Sequence, residues 1–276
     1  MCQDFYSYQK RRAAMSRLRL SHHDHIAHVT LTRAEKKNAM DDEMIDAIIA
    51  AGEDVAASSA RAVVLSGEGS CFCAGIDIAG LSGMVGQDIE ALVMPRTHGM
   101  GTTNRWQEVA MIWHRLDIPV IAALHGVVFG AGLQLALGAD IRLAAPGTQV
   151  AVMEMKWGLI PDMGGMVLLP RLVRDDVMKR MIYTAAPIPA EQAAAWGLVT
   201  EVVADPLEAA QDLATQIAGN GPNAIRAAKS LCAYAHTAAP ADVLKEESRL
   251  QVALLGKPEQ MEVIAAQFAK RAPDFG

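Results

Sequence analysis

Strand-type and helix-type segments alternate along this chain only as far as residue 205, and past Pro206 every apolar pattern has helical spacing. Leu18 to Leu20 and Ile26 to Leu31 are short β-type runs on either side of Ser21-His22-His23-Asp24-His25, a polar hairpin turn. Met44, Ile45, Ile48 and Ile49 form a helical stripe between Asp42 and Val55, opened by aspartates at its start. Ala62 to Gly67 reads as a buried strand ending in a turn. Pro119 to Leu124 is the next strand and Ala131 to Leu137 the next helix; Asp140 to Ala144 and Gln149 to Met153 are further strands. Leu207 to Ile217, Pro222 to Tyr234, Ala241 to Leu255 and Pro258 to Lys270 then read as four helices. The pattern predicts an α/β body over residues 17–205 and a helical region over 206–276, preceded by a mobile N-terminal tail over 1–16. The Gly- and Met-rich stretch from Ala79 to Arg105 has poor periodicity and is the candidate loop or lid.

With 276 residues, 51% hydrophobic and 20% charged, the chain has enough apolar material for a sizeable core. A net charge of −6 gives the whole protein no electrostatic reason to seek nucleic acid or an anionic membrane. No run approaches the ~18 apolar residues that would span a bilayer, and the N-terminus lacks an apolar stretch of signal-peptide type. The cysteines Cys2, Cys71, Cys73 and Cys232 have no repeating pair spacing, and Cys71-Phe72-Cys73 lacks a second half for zinc. They read as reduced thiols of a cytoplasmic protein. The histidines around Asp24 invite a metal, but clustering on a polar turn is more often solvation, and no metal site is expected.

Two glycine-containing turns carry the chemistry: Cys71-Phe72-Cys73-Ala74-Gly75-Ile76-Asp77, and His125-Gly126-Val127-Val128-Phe129-Gly130-Ala131-Gly132. In the second, glycines let the backbone approach a ligand closely, and the helix that follows points unpaired N–H groups at the same spot. These segments resemble the paired signatures of the enoyl-CoA hydratase/isomerase (crotonase) family. The likeness runs from Leu31-Thr32-Arg33 and Lys37-Asn38-Ala39 to the terminal Phe268-Ala269-Lys270-Arg271-Ala272-Pro273-Asp274-Phe275. It implies a crotonase-like spiral of β-β-α units with a C-terminal helical trimerisation region. It also implies an acyl-CoA thioester substrate, with coenzyme A part of the substrate and no separate cofactor, and a homotrimer or dimer of trimers. In such proteins the backbone N–H groups equivalent to Ile76 and Ala131 form an oxyanion hole, where fixed donors stabilise the charge that grows on a thioester oxygen.

The resemblance also bears on acids and bases. Hydratases of this type hold a water between two glutamates, at positions that here are Gln134 and Glu154. An amide neither gives nor takes a proton in this pH range, so the two-glutamate mechanism is not available unaltered. Asp162 follows eight residues after Glu154, in a loop whose glycines and proline rule out one helix carrying both acids. Dienoyl-CoA isomerases of the family use an aspartate here opposite the glutamate, but also carry a carboxylate in place of Gln134; simple Δ3,Δ2-enoyl-CoA isomerases need only the glutamate. Isomerisation is therefore the expected reaction, with hydration by one remaining glutamate the alternative. For Asp162 the bland role is capping of the next helix.

Lys36 and Lys37 fall where the family contacts the CoA phosphates and adenine, although surface lysines need no function. Ala74, Gly75, Asp77, Gly130, Phe129 and Met163 complete the expected substrate-binding set, with Asp77 ordering the first turn; Trp106, Trp113 and Trp157 are further apolar candidates. Two rival classes remain. Gly126-x3-Gly130-x-Gly132 after a strand, with Glu154 22 residues beyond the last glycine, mimics a nicotinamide oxidoreductase fingerprint, though the motif is mid-chain and the C-terminal part lacks further strands. A non-catalytic scaffold of the same fold is the other.

Overall fold

The computed structural model describes residues 17–79 and 86–276. The expected tail over 1–16, and residues 80–85 of the expected loop, lie outside the described residues.

The chain opens with a hairpin of β1 (Leu18–His23) and β2 (Ile26–Leu31), paired antiparallel from Leu18 opposite Leu31 to His23 opposite Ile26. Its turn is only Asp24 and His25, both at positive φ (46° and 63°), as the tightest hairpin connection requires. Ser21, His22 and His23 therefore belong to the strand rather than to the turn. Helix α1 (Asp42–Ala56) begins at Asp41, whose side chain accepts the Met44 N–H, and its stripe of Met44, Ile45, Ile48 and Ile49 is buried. Strand β3 (Ala62–Gly67) leads toward α2 (Ile89–Val93) and α3 (Arg105–Arg115), the latter started by a reciprocal Asn104 and Gln107 capping box.

Next come β4 (Val120–Leu124), β5 (Val127–Phe129), α4 (Ala131–Leu137), β6 (Ile141–Ala144) and β7 (Gln149–Ala151). A 3-10 turn over Glu154–Trp157 precedes α5 (Gly165–Leu168), α6 (Asp175–Thr184), β8 (Ile188–Pro189), α7 (Ala190–Ala195) and β9 (Glu201–Val202). The chain ends in α8 (Pro206–Ala218), α9 (Pro222–Ala235), α10 (Pro240–Leu254) and α11 (Pro258–Ala269), all four with proline in the first turn, where its missing N–H costs nothing.

Six strands form one sheet in the order β1-β2-β3-β4-β6-β9, parallel except for the opening hairpin; β5, β7 and β8 form a second. The chain repeatedly steps from the first sheet to the second, from β4 to β5 and from β6 to β7. The step from β3 ends at Cys73, which makes a parallel bridge to Val128 of β5. Three successive turns of the chain thus run strand to strand across two stacked layers.

The central strands read as unbroken apolar runs because both faces are covered. Val63, Leu65, Val120, Ala122 and Leu124 join the main core with Ile48 and Trp113. Their alternates Ala62, Val64, Ile121 and Ala123 pack with Ala210, Ala214 and Ala218 of α8. The first helix past residue 205 therefore closes the second face of the sheet. By contrast α9 and α10 bury no residue and α11 buries only Ala266.

Candidate active site

The two glycine turns lie side by side because the chain zips them together. The Phe129 N–H donates to Cys73 O (3.0 Å) and the Cys73 N–H to Val127 O (3.2 Å). A third segment fixes the first turn from its other side: Ala74 N–H donates to Lys37 O, Met40 N–H to Gly75 O and Asp77 N–H to Met40 O. Lys37 and Asn38 reach this position through left-handed backbone (φ 52° and 53°), a conformation asparagine tolerates better than most residues. The buried Asn38 amide then donates to the carbonyls of Glu68 and Cys71, each at 2.9 Å. Asp77 accepts from Arg33 Nη1 at 2.7 Å, and this bond holds its carboxyl below the usual range. Its carboxylate thus braces the turn from Arg33.

Gly130 stands at φ 50° and ψ −118°, open in practice only to glycine, and this conformation turns the chain into α4. A Cβ built on Gly75 would lie 3.0 Å from Phe129 O and 3.8 Å from Ala131 N, so the two turns approach within contact. Neither the Ile76 nor the Ala131 N–H has an acceptor among the described residues, and both residues line one cavity of about 300 Å³. Two backbone donors without an acceptor, on residues that line one space, fit what a developing oxyanion needs. The cysteines of the first turn serve packing: burial pushes the Cys73 thiol up to about 12, far from a nucleophile's range.

The cavity also contains Glu154 and Asp162. Glu154 Oε1 accepts from Gln134 Nε2 at 2.7 Å, and a Cβ built on Gly130 would stand 3.5 Å from the same oxygen. Glu154 Oε2 is buried and has no hydrogen-bond partner among the described residues. Burial raises the Glu154 carboxyl above its ordinary value and the charge of Asp162 adds to the rise, while hydrogen bonds from backbone and Gln134 oppose it. Asp162 faces the cavity with more than a third of its surface open, yet the apolar walls still desolvate it enough to raise its carboxyl. The helix after it, α5, takes no side-chain cap, so a capping role for Asp162 is not found. Glu154 opens a 3-10 turn and Asp162 lies in irregular chain, consistent with the broken-helix expectation.

Phe129 and Met163 line the cavity together with Ala74, Gly75 and Gly130. Trp106 and Trp157 line it too, whereas Trp113 is fully buried in the core. The sequence reading missed Ile89 and Leu92 of α2, and Leu159 and Ile160 beside Asp162; the available signal was an apolar pair immediately before the Pro161-Asp162 step. It also missed Lys156, a third charged residue of the lining. Lys36 and Lys37 are exposed and lie outside the cavity, tied to it only through the Lys37 carbonyl at Ala74.

A spiral of strand pairs whose two glycine turns converge on a carboxylate-bearing cavity is the crotonase-like α/β fold. The family model for enoyl-CoA hydratase/isomerase matches residues 21–276, and the chain belongs to that family of enzymes. It is 30% identical over 254 residues to the mitochondrial Δ(3,5)-Δ(2,4)-dienoyl-CoA isomerase of Homo sapiens, covering 88% of this chain and 76% of that one. Among solved structures, the enoyl-CoA hydratase of Bacillus anthracis superposes with a TM-score of 0.82 at 27% identity, over 94% of this chain and 98% of that one. An enoyl-CoA hydratase from Polaromonas sp. JS666 gives 0.81 at 28% identity, over 93% and 98%. The nicotinamide reading fails with this assignment: the acid it would place on a ribose sits instead against Gly130 and Gln134 in the cavity. Among the described residues no helix is long and apolar enough to cross a membrane.

Proposed function

We propose that this protein is a double-bond isomerase of enoyl- or dienoyl-CoA thioesters, with Glu154 as acid/base and the Ile76 and Ala131 N–H groups holding the thioester oxygen. The observation that supports it best is the state of Gln134. Its Oε1 accepts from the Met163 and Gly165 N–H groups (2.8 and 3.0 Å), and its Nε2 donates to Glu154. The amide oxygen has both its acceptor positions filled and the amide has no proton to give or take, so the side chain that stands where a hydratase keeps its second glutamate cannot act as that acid or base. What remains for proton transfer is Glu154, with Asp162 in the same cavity.

In the Δ3 to Δ2 reaction, Glu154 takes a proton from C2 and the electron pair moves toward the carbonyl. The resulting enolate oxygen lies between the two N–H donors, which strengthen as its charge grows. The double bond re-forms between C2 and C3 as a proton returns to C4. In a 3,5-diene the proton returns to C6, where Asp162 would serve as the second acid. Raised carboxyls suit this work, since they give and take protons nearer neutral pH than ordinary acids.

The cavity walls are mostly apolar, which fits an aliphatic acyl chain. Lys36 and Lys37 are assigned to the CoA phosphates and adenine, and CoA enters only as part of the substrate. Turnover of cis-3-enoyl- and 3,5-dienoyl-CoA against hydration of trans-2-enoyl-CoA tests the reading.

A further inference from the structure

We propose that Gln134 is a positioning residue that locks Glu154 and the Asp162 segment in register with the Ala131 N–H, a role that deepens, and rests on, the reading of Glu154 as the acid/base. Ala131 and Gln134 are one turn apart on α4, every residue of which is buried. The helix that begins at the Ala131 donor thus also carries the brace. From it Nε2 reaches Glu154 Oε1, while Oε1 takes the N–H of Met163, the residue next to Asp162, and that of Gly165. Two acids from separate segments are tied to one buried helix by a single amide.

The amide cannot be reversed without setting its NH2 against two backbone N–H donors, so Nε2 must face Glu154. Glu154 Oε1 is therefore held as an acceptor, which fixes how the carboxylate is presented. The chain makes room for this: a Cβ on Gly165 would stand 2.8 Å from Gln134 Oε1 and 2.9 Å from its Cγ. Gly165 has no positive φ, so close approach of the amide is the reason visible for a glycine there. Other charges near Glu154 are few. Asp162 and Lys156 are the other charged residues among the described lining. On α6, which packs on the Glu154 turn, Asp175 pairs with Lys179, Asp176 with Arg174, and Arg180 lies over the Trp196 ring.

The test reads the Glu154 carboxyl directly, by 13C NMR titration of glutamate-labelled protein, with Glu154→Gln assigning the resonance. Gln134→Met removes the brace. Gly165→Ala keeps the amide and both backbone donors but pushes the amide aside, which guards against a result due only to orphaned N–H groups. Both variants should shift the Glu154 titration upward, and both should lower kcat on cis-3-enoyl-CoA by roughly tenfold to a hundredfold with little change in KM. Glu154 titrating as in the unmodified protein in both variants would overturn the proposal. If the titration moves while the unmodified protein shows no isomerase turnover, the positioning role stands and the isomerase reading falls.

Discussion

Cys73 and Val128 form the parallel bridge that holds the two glycine turns side by side. The bridge depends on a missing side chain: a Cβ on Gly132 would lie 2.6 Å from Cys73 O, 2.7 Å from Cys73 Cβ and 2.9 Å from its Sγ. The obstacle is backbone and buried side chain, with no flexible end to give way. Gly132→Ala should therefore part the turns, lowering stability by about 1–3 kcal/mol and turnover by far more than that loss explains. Thermal unfolding and kcat on one preparation check this; full activity in a folded variant would mean that the bridge does not set the site.

The donor itself is tested by removing one N–H. Ala131 is the first residue of α4, the helical position at which proline is tolerated, so Ala131→Pro should fold. It should lose on the order of 100-fold or more in kcat, while Ala131→Ser, which keeps the N–H, retains much of the rate. Wild-type kcat in a folded proline variant would place the second donor elsewhere.

The sequence made the architecture legible where one physical cause set the pattern. Burial on both faces shows in the apolar runs of β3 and β4, and Asp41 and the prolines of the last four helices mark helix starts. Of the elements between residues 165 and 202, α5 and α7 are too brief to show a period, whereas α6 carries one in Val177, Met181 and Ile182 that the sequence reading passed over. The site splits the same way. Ile76, Ala131 and Glu154 came from motif positions. The bonds from Met163 and Gly165 to Gln134 did not, since a backbone donor 29 or 31 residues away has no side-chain signature.

Stability should depend on pH through Glu154. The fold raises this carboxyl above its ordinary value, so the folded chain binds the proton more tightly than the unfolded one. The ionised group thus opposes folding at neutral pH; that opposition fades as pH falls through the raised folded value and is gone below the ordinary glutamate range of the unfolded chain. Glu154→Gln should abolish turnover yet raise Tm at pH 7 to 8, with the advantage shrinking on acidification. An advantage that grew as pH fell would contradict the assignment of burial as the cause. Turnover in the unmodified protein should also fall away on the acid side at a pH above the ordinary glutamate range.

The C-terminal helices call for a partner. Phe268 is 87% exposed, Val252 74% and Leu244 61%, on helices that bury almost nothing within the chain. The expected assembly is a homotrimer or a dimer of trimers, checked by sedimentation. A monodisperse monomer would contradict it.

The most direct measurement is turnover on matched acyl chains: cis-3-enoyl-CoA, 3,5-dienoyl-CoA and trans-2-enoyl-CoA with the same carbon number. Isomerisation should exceed hydration in the unmodified protein, Asp162→Asn should damage dienoyl isomerisation selectively, and Gln134→Glu should raise hydration by restoring a second carboxyl. Hydration of trans-2-enoyl-CoA well above either isomerase rate would contradict the account and make the protein a hydratase working with Glu154 alone.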